Sequence, residues 1–150
     1  MSCHSAYRRI AMRILILEHD INLGERLFAA LRNEGWSLDW TTDAETAKQS
    51  LIRFDVSLMI LGMAPELSRL ARTNLLRDIR KIRRTTPMLL IVDGEFDVEE
   101  LHESADLILV QPVDIEQIKR RIKILLTQGT SNADSKAIRN EGQMSVNHFA

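Results

Sequence analysis

The stretch Met12-Arg13-Ile14-Leu15-Ile16-Leu17-Glu18-His19-Asp20 decides the fold. A short, mostly apolar run, Arg13 to Leu17, ends directly in three polar residues. A continuous run, unlike an alternating one, reads as a strand covered on both faces. Asp20 then stands where a helix N-cap belongs, because its carboxylate can take up the orphan amide protons of a first turn. Leu23, Leu27 and Leu31 supply that helix, recurring every four residues.

Working outward, the same alternation repeats. Further apolar runs lie at Ser37–Trp40, Val56–Leu61, Met88–Val92 and Leu107–Val110. Between and after them come helical stripes: Ala44, Ala47 and Leu51; then Leu75, Leu76, Ile79 and Ile82; then a weak pair, Val98 and Leu101; then Ile115, Ile118, Ile122 and Leu125. Thr42 or Asp43, and Asp114, are further N-cap candidates. Five strands alternating with five helices predict an α/β fold of the flavodoxin type: a doubly wound, five-stranded parallel sheet flanked by five helices.

The remaining composition narrows the classes. A chain of 150 residues fits one domain with a real core. With 45% hydrophobic and 27% charged residues it reads as globular, and a net charge of −1 gives no bulk pull towards nucleic acid or membrane. Cys3 stands alone, so no internal disulfide can form, which suits the cytoplasm. No apolar run approaches the roughly 20 residues of a membrane span, and the N-terminus does not read as a signal peptide. Residues 1–11 are expected to be a disordered extension, 12–127 the domain, and 128–150 a flexible tail.

From Met12 to Leu126 the chain resembles the receiver domains of the OmpR/PhoB family of response regulators. The opening stretch is similar to that family's first strand and acidic turn. Leu38-Asp39-Trp40-Thr41-Thr42-Asp43 resembles the second strand and turn, and Phe54-Asp55-Val56 the lead into the third. Ser104-Ala105-Asp106 precedes the fifth strand, and Gln111-Pro112-Val113 falls where the family has Lys-Pro-Phe. Their order and spacing carry the likeness. Ile138 to Asn147 loosely resembles the linker and first strand of the family's winged-helix effector, so the tail reads as a remnant of that connection.

The resemblance implies a site in which an aspartate accepts a phosphoryl group, an acidic pair holds Mg²⁺, and a hydroxyl and a lysine contact the phosphoryl oxygens. Onto this sequence the aspartate falls at Ile60, the acidic pair at Glu18 and His19, the hydroxyl at Val92 and the lysine at Gln111. One carboxylate survives. The family's switch aromatic corresponds to Ile108, so the relay that couples it to the hydroxyl is aliphatic at both ends. Asp55 cannot substitute for the acceptor: it lies about 16 Å away at strand rise, at the opposite end of the sheet. Asp93 lies on the wrong strand. His19 could be a metal ligand or pH sensor with Glu18, or could simply fill a vacated acidic pocket beside a solvated Glu18.

Charge is segregated. Arg69, Arg72, Arg77, Arg80, Lys81, Arg83 and Arg84 lie in one segment. Asp93, Glu95, Asp97, Glu99, Glu100, Glu103 and Asp106 lie in the next. Each is either a solvated face or a surface steering a partner. The family pairs through the helix before strand five, that strand and the helix after it. Arg121 matches one member of its salt-bridge set. Leu107, Gln117 and Asp97 depart from it, and Leu107 with Ile108 is expected to add apolar surface for a different homodimer.

The expectation is an atypical, phosphorylation-independent receiver acting by protein–protein contact in the cytoplasm, with no cofactor, metal or enzymatic activity. It would bind no membrane and no nucleic acid of its own. The alternative is the receiver part of a two-component transcription regulator whose DNA-binding domain is absent from this chain. An enzyme is disfavoured, because no Gly-rich phosphate loop or nucleophile–base pair is present.

Overall fold

A computed structural model describes residues 12–93 and 101–128. The strands are β1 (Arg13–Leu17), β2 (Ser37–Thr41), β3 (Leu58–Gly62), β4 (Met88–Val92) and β5 (Leu107–Val110). The described helices are α1 (Ile21–Arg32), α2 (Ala44–Arg53), α3 (Arg69–Ile82) and α4 (Ile115–Gln128). All strand pairs are parallel, in the order β2-β1-β3-β4-β5. The doubly wound expectation holds. Four helices flank the sheet among the described residues. The weak stripe of Val98 and Leu101 falls mainly at 94–100, outside the described residues, as do 1–11 and 129–150.

The N-caps form as the side-chain chemistry requires. Asp20 Oδ1 accepts from Asn22 N at 3.0 Å, and Asp43, rather than Thr42, accepts from Thr46 N at 2.9 Å. Asp114 Oδ1 accepts from Glu116 N at 3.1 Å. Ser68, which carries no apolar pattern, caps α3. Strand β3 begins at Leu58, two residues later than expected. Val56 packs in the core instead, and Ser57 N donates to the Arg13 carbonyl at 2.7 Å just ahead of the ladder.

Alternation along each strand builds two cores. Ile14, Ile16, Leu58, Ile60, Leu89, Ile91, Leu107 and Leu109 face α1 and α4. Leu15, Leu17, Met59, Leu61, Leu90, Val92 and Ile108 face α2 and α3. Each buried aliphatic contributes about 1.5–3 kcal/mol relative to exposure. The chain winds one way from β1 to β2 and the other way from β3 to β5. Its topological switch point therefore lies between β1 and β3, and the crevice beyond their C-terminal ends is where such sheets bind ligands.

Arg80 locks the far end of α3. Its guanidinium donates to the carbonyls of Ser104, Arg83, Arg84 and Thr86 at 2.6–3.3 Å and lies 3.4 Å from Asp106 Oδ2. Asp106 in turn accepts from Met88 N at 2.8 Å. Arg83 donates to the carbonyls of Leu51 and Phe54. These two arginines serve the fold, which corrects the reading of the whole basic run as a solvated or partner-facing surface. Most of the acidic run lies outside the described residues.

Candidate functional site

At the switch point, β1 runs out into Glu18 and His19, and β3 ends in Gly62. The Glu18 side chain continues the row of Ile14 and Ile16 on the α1/α4 face, and only 1% of the residue is exposed. The expectation of a solvated Glu18 is therefore corrected. Its Oε2 accepts from Asp20 N at 2.9 Å and lies 3.2 Å from His19 Nδ1. Its Oε1 is buried without a hydrogen-bond partner. Burial pushes the Glu18 carboxyl above the ordinary glutamate range, opposed by the Asp20 N–H and by His19.

Gly62 makes this placement possible. A Cβ at Gly62 would collide with Glu18 Oε1. Strand backbone and carboxylate thus occupy adjoining space that only glycine leaves open. A second glycine supports the same corner: a Cβ at Gly24 on α1 would strike the Trp40 ring, and Trp40 Nε1 donates to the Glu18 carbonyl at 3.1 Å. Glycine 62 and Trp40 were not singled out from the sequence. The only signal was a glycine two residues beyond the mapped acceptor, ambiguous without knowing that Glu18 turns inward over it.

The mapped site residues are distributed as follows. Ile60 is 0% exposed, paired between Ile16 and Leu89, and surrounded by aliphatic carbon. Val92 is buried on the opposite face, in the same core as Ile108. Gln111 is exposed, and its backbone N–H donates to the Val92 carbonyl at 2.7 Å. The structure thus joins Glu18, His19 and Gly62, places Ile60 beneath them, and sets Val92 and Ile108 apart. No group of three His, Cys, Asp or Glu side chains suited to a metal occurs among the described residues. Asp55 lies ahead of β3, at the remote end of the sheet.

The expected apolar dimer surface is also corrected. Leu107 is 6% and Ile108 0% exposed within one copy, because each packs in one of the two cores. Neither is available to a partner. Gln117 and Arg121 are half-buried on α4, and Asp97 lies outside the described residues.

No family model matches the chain. Response regulator protein PmrA of Pseudomonas aeruginosa is 32% identical over 133 residues, which span 87% of this chain and 59% of that protein. Transcriptional regulatory protein BasR of Escherichia coli is 32% identical over 131 residues, 85% of this chain and 58% of BasR. The chain spans about three fifths of the length of these curated relatives. Among solved structures, a CheY-like response regulator receiver domain from Methanospirillum hungatei superposes with a TM-score of 0.71 at 20% identity, covering 82% of this chain and 99% of the other. The HemR receiver domain from Leptospira biflexa gives 0.66 at 21% identity, covering 77% and 94%. The fold is that of receiver domains. The sequence relatives share this stretch with the chain and are a response regulator and a transcriptional regulatory protein. No helix among the described residues is long and apolar enough to cross a membrane.

Proposed function

We propose that this chain is a degenerate receiver that takes part in two-component signalling without being phosphorylated on aspartate. The observation that carries the reading is the lack of an acid at the end of β3, both at Ile60, the mapped acceptor, and at Gly62, the residue that lies against Glu18. At the position where the resemblance places the phosphoacceptor stands a fully buried hydrocarbon, in register between Ile16 and Leu89. It offers neither a nucleophile nor an oxygen for a metal. The one surviving carboxylate of the acidic pair, Glu18, is turned onto Gly62 and away from water. Output then comes from contact with another protein in the cytoplasm. Pairing of two copies along β5 and α4 remains part of the proposal, carried by Arg121 and Gln117 and no longer by Leu107 and Ile108.

Incubation with acetyl phosphate and Mg²⁺, followed by intact-mass spectrometry under conditions that preserve acyl phosphates, tests the chemistry. An unchanged mass is expected, and a phosphoryl adduct sinks the reading. Light scattering across protein concentration tests the pairing; a monomer at high concentration excludes it.

A second reading has support from the relatives, since BasR is a transcriptional regulatory protein and this chain spans only part of it. The domain would then be the receiver part of a transcription regulator, with DNA bound by a segment outside this sequence. A winged-helix coding segment following residue 150 in the gene decides for it.

A further inference from the structure

Beside the sealed acceptor position, a cavity of about 460 Å³ opens between α2 and α3. Its size falls within the roughly 300–1,000 Å³ of ordinary small-molecule sites. The floor is Leu17 and Gly62 at the ends of β1 and β3, and His19 stands at its lip. The walls hold back because the residues there are small: Ala44 on α2, Ala64 after β3, and Ala71 on α3. Lys48 and Asp78 bridge the two helices at 3.2 Å and act as a strut that keeps them apart.

The polar groups limit what can enter. Lys48 contacts two carboxylates, Asp78 at 3.2 Å and Glu45 at 3.3 Å, which hold its ammonium above the ordinary lysine range. An anion must compete with both acids for one cation. A cation must approach Lys48. An ion of either sign also loses hydration on entering an apolar space. The pocket therefore favours an uncharged occupant. Asn74, exposed at the rim of the wall, accepts from Arg77 Nη1 through its Oδ1 at 3.1 Å, which leaves its amide nitrogen as the remaining donor.

We infer that this cavity binds an uncharged, mainly apolar small molecule bearing a carbonyl or ring-nitrogen acceptor directed at Asn74. The binding does not depend on whether Ile60 blocks phosphorylation, which the mass measurement tests separately. A ligand here would bridge α2, α3 and the strand ends and could serve as an input where the phosphoryl route is closed.

The probe is Nile red, a neutral aromatic with a carbonyl and a ring nitrogen, titrated into the full chain and followed by fluorescence and by backbone amide shifts. Saturable one-to-one binding is expected, with shifts concentrated in residues 62–75. Ala71→Trp fills the cavity and should weaken binding at least about tenfold. Asn74→Ala should weaken it about threefold at an unchanged melting temperature, the loss of one modest hydrogen bond. Leu70→Ala, on the exposed side of α3, should leave it unaltered. If circular dichroism shows that Ala71→Trp does not fold, Ala64→Leu takes its place. The anionic dye 8-anilinonaphthalene-1-sulfonate should bind more weakly. Non-saturable binding, binding that survives the filled cavity, or a preference for the anion overturns the inference. A cavity that takes no probe but is protected by a partner protein also overturns it, in favour of a docked side chain.

Discussion

On the α1/α4 side of the sheet, aliphatic side chains run without a break from Ile14 and Leu58 to Ile60 and Leu109, and the buried Glu18 closes their upper end. On the α2/α3 side, strands of the same sheet end beneath alanines and open space. One face is filled at the switch point, and the other leaves space. The same fold thus packs one region closed and leaves space in its neighbour. The difference lies in side-chain volume, since the backbone register is common to both faces.

The largest effect should come from restoring the missing acid. Ile60→Asp places a carboxylate among Ile16, Leu89 and their neighbours, and should cost about 3 kcal/mol or more in chemical denaturation. It should not restore phosphoryl uptake, because the remaining acid is turned inward. A variant that is fully stable and phosphorylatable breaks the comparison outright.

Next comes Gly62→Ala, which should cost about 2 kcal/mol by forcing Glu18 off the strand. Combining it with Glu18→Ala should recover part of that loss, a non-additivity of about 1 kcal/mol. Strict additivity would mean that the two do not share space.

A smaller, pH-dependent effect should follow Glu18→Gln. The folded-state carboxyl titrates above its ordinary value of 4.5. Its favourable contribution is therefore complete below that unfolded value and is lost as pH rises through the folded one. Above the folded value the ionised, desolvated side chain is a cost, and there the glutamine should stabilise by about 0.5–1 kcal/mol. The gain should fade on acidification below 4.5. A constant difference between pH 3 and 8 would show that Glu18 is not desolvated.

The smallest effect is expected on the open side. Ala71→Leu adds three carbons to the cavity wall and should change stability by less than about 0.5 kcal/mol, far below the cost of one carbon at Gly62. A loss comparable to Gly62→Ala would mean that the α2/α3 side is also full.

Three of the five strands, β1, β4 and β5, have the bounds expected from their continuous apolar runs, because burial on both faces leaves little ambiguity about where such a run stops. The caps at Asp20, Asp43 and Asp114 were readable for a local reason: each bonds within three residues of itself. What stayed hidden was long-range. Arg80 reaches Ser104, 24 residues away, and in sequence it looks like any other member of a basic run. Leu107 looked available because its family counterpart is charged, whereas which core a strand residue enters depends on the neighbouring helices. That no aspartate stands at position 60 was legible from the resemblance. The cavity was not, since an unfilled space is a property of several elements together.

The corner built from Gly24, Trp40 and Glu18 also has a spectroscopic consequence. The chain has two tryptophans, at positions 36 and 40, and the Trp40 indole lies against α1 while donating to the backbone of Glu18, the one buried acid among the described residues. Proton loss at Glu18 places a negative charge near that ring, and loosening of α1 admits water to it. Trp40 emission is thus a native optical reporter of this end of the sheet. Replacing Trp36 with phenylalanine would isolate the signal without attaching a label.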